Sequence, residues 1–429
     1  MRNLEKIGSS SELSQAWTIV VASAVGLGLG ITGLPFYSMG QFLRPLSQQF
    51  GWGRAAISGA ALCLSIGSVI TSPIIGRVVD RIGVRRVALV SMPATALGFF
   101  ALALNSGSLV AFYATWLAIS FLGCGTTPVV WTRAISTWFN RQRGLALGVT
   151  LCGTGVAALI APLILGRLIV RYGWRAGYVS EGVGILLLAW PLAWLFLRER
   201  GEVTGHASGG PLRPVTSRSG ASRRDAFRSP NFWRLFIGIF IIAIVLSGLI
   251  VHLVPMMLDH GLTLAHATQI MSLLGFAIIS GRLAIGFLLD RLPPALVALA
   301  LLMLPAIACW LLVSGGSPLV ATILLGLATG ADTDLLPYLT SRCFGLRNYA
   351  ELFGWLLSAA SLGGGLGPVL AGRVHDASGN YDIALYAGLF MAITGALLIG
   401  TVKPDRVPAR QQPVDANAVD NPVGAAQER

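Results

Sequence analysis

Twelve apolar runs of about 20 residues dominate this chain, and that is the length a helix needs to cross a ~30 Å hydrocarbon core. They lie near 17–37, 55–76, 86–104, 109–131, 144–166 and 176–197, then near 233–254, 267–289, 295–313, 318–340, 352–371 and 382–401. In lipid the backbone must satisfy its own hydrogen bonds, so runs of this kind fold as helices. Charged residues make up only 11% of the 429, against 54% hydrophobic ones, and the mean hydropathy is +0.72. A soluble chain carries about 25% charged residues. A soluble enzyme, a disordered scaffold and a disulfide-rich secreted domain are therefore excluded. The expected fold class is an all-α membrane protein with twelve transmembrane helices. Sixteen fairly polar residues precede Trp17, and the run after them is too long for a signal-peptide core, so it is expected to stay as the first span.

Residues 198–232 interrupt the apolar pattern, with eight arginines between Arg198 and Arg234. This stretch reads as a cytoplasmic linker between an N-terminal bundle (1–197) and a C-terminal bundle (233–402), followed by a cytoplasmic tail (403–429). The net charge of +13 fits basic loops obeying the positive-inside rule. It does not point to nucleic acid, which would call for a basic face on a soluble domain. With the N-terminus inside, Arg44, Arg54, Arg167, Arg171, Arg175 and Arg373 fall outside and Arg282 falls within a span. The remaining 24 of the 31 Lys and Arg residues lie on or beside the cytoplasmic side. Both termini are thus expected in the cytoplasm, in a bacterial inner (plasma) membrane. Cys63, Cys124, Cys152, Cys309 and Cys343 lie in apolar segments without metal-ligand spacing and read as small packing residues.

Two internal repeats mark the halves. Pro162-x3-Gly166-Arg167-x5-Gly173 returns as Pro368-x3-Gly372-Arg373-x5-Gly379, and Gly76-x3-Asp80-Arg81 returns as Gly286-x3-Asp290-Arg291. Matching marks at helices 5 and 11, and at 2 and 8, indicate duplicated six-helix bundles with a site between them, the plan of an alternating-access transporter.

The run Gly76-Arg-Val-Val-Asp80-Arg81-Ile-Gly83-Val-Arg85-Arg86 resembles the loop 2–3 motif of the major facilitator superfamily. Trp138-Phe139-x3-Arg143-Gly144-x-Ala146-x-Gly148, Gly281-Arg282-x3-Gly286, and Phe344-Gly345 with Gly363-Gly364-Gly365 are similar to the monocarboxylate transporter and oxalate:formate antiporter branch. The resemblance implies the major facilitator fold and rocker-switch transport of a small organic anion, often with a proton. A lysine of helix 1 in the animal relatives falls near Tyr37 here, and the antiporter's helix 11 lysine falls near Ala359 or Ala360.

Charges inside spans are expensive, at least about 2.5–3.5 kcal/mol at mid-membrane, so the few present are the candidates for function. Arg282 lies eight residues before Asp290, about 12 Å from the helix end at 1.5 Å per residue. A guanidinium at that depth can hold a carboxylate through two parallel bonds and keeps its proton. Asp334 lies eight residues before Arg342 and so at similar depth. The alternatives for Arg282 are a substrate ligand, a structural pair with Asp334, or both in turn. Asp332 and Asp334 sit about 200° apart on a helix; either is a candidate proton carrier. Tyr338, one turn from Asp334, is a candidate substrate contact, as are Tyr37 and Arg133, although Arg133 can also snorkel to the cytoplasm. His252 is a candidate proton relay or a hydrogen-bonded structural histidine. Glu181 reads as a packing residue. Gly76, Asp80, Arg81, Gly83, Arg85, Arg86, Asp290 and Arg291 are the expected gate, with topology signalling as the alternative.

Gly28-Leu-Gly30-Ile-Thr-Gly33 fits GxGxxG, but no strand precedes it, so close helix packing is the expectation. No catalytic triad, metal cluster or phosphate loop stands in a credible context; no enzyme activity and no cofactor are expected. The function expected is proton-coupled monocarboxylate transport by a monomer in the bilayer. The alternatives are a dicarboxylate antiporter, a proton-coupled exporter of drugs or hydrophobic cations with Asp332 and Asp334 as the cation site, and a non-transporting sensor acting through the linker.

Overall fold

The structure is a computed structural model that describes residues 17–139, 143–198, 222–289, 291–345 and 348–402. Eleven helices among these are long and apolar enough to cross a membrane. They are α2 (Arg54–Ile82), α3 (Val84–Ala103), α4 (Leu109–Ile135), α5 (Arg143–Tyr172), α6 (Trp174–Phe196), α7 (Pro230–Asp259), α8 (Leu264–Leu289), α9 (Pro294–Val313), α10 (Pro318–Phe344), α11 (Tyr349–Ser378) and α12 (Asp382–Gly400). The expected first span, α1, is two shorter helices, Trp17–Gly28 and Leu34–Phe50. Most of the linker, the N-terminal segment and the tail lie outside the described residues, as does Asp290; the side chain of Asp80 does too.

Among the described residues, three runs expected to be continuous are interrupted: α9 briefly at Met303, and α1 and α4 more widely. α1 interrupts its helix at 29–33, where Gly28, Gly30 and Gly33 cluster, and α4 passes through a 3₁₀ turn at Gly123–Thr126 before resuming at Pro128. The two wider breaks lie against each other. Ile31 N–H donates to Thr126 Oγ1 at 3.1 Å, and Thr126 Oγ1 donates to Gly123 O at 2.8 Å. Irregular backbone survives at membrane depth when protein groups complete its bonds. Hydropathy does not register such breaks because apolar residues flank them. Other helices outrun their apolar cores: α2, α7 and α11 reach 29 or 30 residues. They stop where a glycine permits reversal. Gly173 and Gly379, the matching ends of the duplicated motif, both have positive φ, +82° and +77°; that region favours glycine.

Buried side chains form two cores. One runs from Ile19 to Leu197 with Val251 added, the other from Ala226 to Val402 with Tyr37 and Ala158 added. The halves meet where α2 packs on α11, α5 on α8, and α1 on α7. Small residues bring the backbones together, as membrane interfaces require: a Cβ on Gly372 would lie 2.6 Å from Ala55 N across the α2–α11 seam. Gly28 faces the Gly153 carbonyl of α5 at similar range, the packing use expected of the GxGxxG run.

Candidate functional site

Arg282 and Asp334 meet between α8 and α10. Gly281 and Gly330 carry no side chains where these helices cross, so Gly330 comes against the Arg282 backbone. The approach places Arg282 Nη1 3.1 Å from Asp334 Oδ1, with side chains 8% and 31% exposed. Arg282 Nε is buried and unpartnered, which leaves the guanidinium with donor capacity that Asp334 does not use. An unsatisfied buried donor is rare and marks a place where a ligand or water belongs. Tyr37 of α1 and Cys152 of α5 lie within electrostatic reach of Arg282, and Cys152 also of Asp334. Helices from both halves therefore converge on the pair.

The other expected ligands are dispersed. Tyr338 packs on the second core, with the Arg342 guanidinium 5.5 Å over its ring. Arg133 is exposed on α4, and Asp332 is half-buried. The ion pair goes to Asp334. His252 lies in a different place altogether, in a polar seal at the end of the bundle that carries Arg54.

That seal joins the halves. Arg54 opens α2 and grips Asp259, the last residue of α7, donating from Nη1 and Nη2 to its two carboxylate oxygens at 2.6 and 2.8 Å. Asp376 of α11 accepts the backbone N–H groups of Arg54 and Ala55, each at 2.9 Å, so a carboxylate from one half caps a helix of the other. His375 stands 3.6 Å from Asp259 and 3.8 Å from Asp376. Arg54 Nη1 also donates to the Tyr381 hydroxyl at 2.7 Å. Burial raises the Tyr381 hydroxyl above its ordinary pKa, so it stays a donor, and His252 Nδ1 is 2.7 Å away. His252 Nε2 is 2.8 Å from the Pro368 carbonyl, which can only accept. The network is satisfied in one way: Arg54 donates to Tyr381, Tyr381 to Nδ1, and Nε2–H to Pro368, with Ser58 Oγ of α2 at 3.2 Å. This assigns the Nε2–H tautomer from hydrogen-bond geometry.

The opposite end of these helices carries glycines with room beside them. Cβ atoms on Gly76 of α2, Gly148 of α5 and Gly354 of α11 would meet open space. The same helices are tight nearer the seal, where Gly365 faces Ser65 and Gly166 faces Thr268. Gly83 turns α2 into α3 with φ +89°, and Arg81 and Arg86 are exposed. Arg85 donates to the Trp194 carbonyl at 3.0 Å within the first half, and the Arg291 guanidinium lies 3.8 Å over the Phe287 ring. Arg54, Asp259, Asp376 and Tyr381 were absent from the expected site because charges at span ends read as topology marks. One usable signal was present: Arg54 begins its span on the side where Asp259 and Asp376 end theirs.

The sequence profile of the Major Facilitator Superfamily matches residues 25–331. The chain belongs to this superfamily. It is a membrane transporter and not an enzyme. Human "Monocarboxylate transporter 11" is 27% identical over 410 residues, covering 89% of this chain and 82% of the relative. "Monocarboxylate transporter 13" of Bos taurus is 26% identical over 334 residues, 76% of each. The crystal structure of a bacterial homologue of the human lysosomal transporter Spinster, inward-facing and unoccupied, superposes with a TM-score of 0.62. It is 16% identical and covers 91% of this chain and 94% of that one; the likeness is one of fold. Among the described residues no group of three or more His, Cys, Asp or Glu side chains is placed to hold a metal ion.

Proposed function

We propose that this transporter moves a small organic anion, a monocarboxylate, together with a proton, by alternating access as a monomer. The observation that carries the reading is the buried Arg282–Asp334 pair with Arg282 Nε unpartnered. A carboxylate entering beside the pair takes up the free guanidinium donors. Protonating Asp334 weakens its hold on Arg282 and releases the remaining donor, so that proton and anion bind together. Asp332, two residues before it, is the reserve candidate for the proton. The monocarboxylate transporter relatives support the substrate class.

With both termini cytoplasmic, as the arginine distribution favours, the Arg54 seal closes the outer face of a bacterial inner membrane. The site then communicates with the cytoplasm past Gly76, Gly148 and Gly354. In the alternate state the seal parts, and the end bearing Asp80, Arg81, Arg85, Arg86, Asp290 and Arg291 closes. Gly76, where a Cβ would meet open space, leaves room for that closure. His252 then serves the seal as a hydrogen-bond link.

Counterflow in proteoliposomes decides among substrate classes. Vesicles loaded with short aliphatic, aromatic or dicarboxylic acids are challenged with the labelled acid outside. Exchange of one monocarboxylate class is the expected result. Exchange confined to dicarboxylates replaces it with the antiporter reading. No exchange of any acid overturns the anion reading and favours cation export through Asp332 and Asp334.

A further inference from the structure

Glu181 is a buried carboxyl that the mechanism above leaves unused. It stands in α6, 2% exposed, inside the core of the first bundle rather than between the bundles. Its Oε1 is hydrogen-bonded to Ser38 Oγ of α1, and its Oε2 is buried without a partner. Gln41, one turn beyond Ser38 and also 2% exposed, has both side-chain amide atoms buried and unpartnered. Such atoms are uncommon in native interiors, and a polar pocket with several of them is where buried water resides. Gln41 also lines a cavity of about 650 Å³ at the Arg54 end, with Arg44, Gln48, Gln49 and Thr263. Gln41 therefore stands one turn from the Ser38–Glu181 hydrogen bond and on the wall of a chamber at the bundle end.

Among the described residues no counter-ion pairs with Glu181. α6 packs on α1, α3 and α5, and on α4 through the Tyr178–Trp116 ring contact. α3 presents Phe100 and the Ala96 backbone at Gly182; α1 and α5 present Phe42 and Ile169 at Gly177. The titratable neighbour within electrostatic reach is Tyr178, stacked on Phe42 at 4.0 Å. Arg171 lies over the Tyr172 ring; Arg175 lies over the Trp174 ring and donates to the Asn105 carbonyl at 3.4 Å. Ser38 Oγ, meanwhile, is 3.3 Å from the Pro35 carbonyl, so the hydroxyl has two acceptors to choose from. When Glu181 is an acid, its O–H donates to Ser38 Oγ and Ser38 donates to Pro35. When it is a carboxylate, the Ser38 hydroxyl turns to Glu181. One torsion accommodates both protonation states.

We propose that Glu181 is a proton-binding site, loaded from the Arg54-end cavity through water held at Gln41. It is a second protonatable carboxyl, in the half opposite Asp334. The step is a plain proton transfer: a hydronium arriving in the cavity loses one O–H bond and becomes water, an O–H bond forms on Glu181, and there is no redox change. The site extends the proton-coupled reading, and rests on it only for the use made of the proton.

The test is pH-difference infrared spectroscopy of the full chain in lipid vesicles without substrate. The expected result is a protonated-carboxyl C=O band that grows as the bulk pH falls, shifts in D₂O, and is lost in Glu181→Gln. In Ser38→Ala the carboxyl remains and the band moves to higher frequency as its hydrogen bond is lost; this assigns the band if Glu181→Gln fails to fold. A band that survives Glu181→Gln or ignores Ser38→Ala overturns the site. So does a band assigned to Glu181 that neither titrates nor exchanges in D₂O, which would be a sealed structural acid. A carboxylate panel without exchange would overturn the substrate reading and leave the infrared result standing.

Discussion

Removing the Arg54 side chain tests whether the seal holds one face shut. Arg54→Ala deletes the two-point contact with Asp259 and the bond to Tyr381, while the backbone N–H bonds to Asp376 remain. Charge-assisted hydrogen bonds contribute about 1.5–3 kcal/mol each, but Asp259 is 36% exposed against 13% for Arg54. Solvent screening pulls such a pair toward the about 1 kcal/mol of surface ion pairs. The two bounds leave about 1–2 kcal/mol for the seal, a roughly 5- to 30-fold shift in the conformational equilibrium. Cys152 reports on it, since it lies within reach of both Arg282 and Asp334. With Cys63, Cys124, Cys309 and Cys343 replaced, an impermeant thiol reagent applied at the Arg54 face is expected to label Cys152 roughly 5- to 30-fold faster in Arg54→Ala, and labelling from the other face is expected to slow. Unchanged labelling from the Arg54 face in a folded variant would refute the seal.

Three further outcomes follow from the same contacts. Tyr381→Phe removes the hydroxyl between Arg54 and His252, leaves Nδ1 without its donor, and is expected to cost about 1–3 kcal/mol; an unaltered thermal melt contradicts the network. Gly372→Val inserts atoms at the Ala55 backbone and is expected to cost about 1–3 kcal/mol from overpacking, with faster Cys152 labelling at the Arg54 face; slower labelling or none would show that the seam yields elsewhere. Asp334→Asn removes the protonatable partner of Arg282 and is expected to abolish the response of uptake to an imposed pH gradient, whereas a preserved response moves the coupling to Asp332 or Glu181.

Much of this was legible in the residues. The spans follow from hydropathy and the duplicated marks from Pro162/Pro368 and Gly173/Gly379, while the Arg282–Asp334 pair was one of the alternatives that equal depth, eight residues from each helix end, left open. Other features need three dimensions. The breaks in α1 and α4 are stabilised by Thr126 against Ile31, 95 residues away, and apolar flanks conceal both. The seal joins Arg54 to partners 205 to 327 residues away, each unremarkable alone at a span end. Tyr338 lies a turn from Asp334 as counted, but a turn from Arg342 as well, and the structure shows the arginine over its ring. Spacing gives the face of a helix; it does not give which of two neighbours a side chain meets.

The most direct measurement is counterflow of the exchanged monocarboxylate in wild type beside Arg282→Ala, with matched amounts of folded protein in the vesicles. Exchange in wild type and its abolition in Arg282→Ala is the expected result, because the variant lacks the guanidinium that holds the carboxylate. Normal exchange by Arg282→Ala would contradict the central claim, and would reduce the pair with Asp334 to a structural contact between α8 and α10.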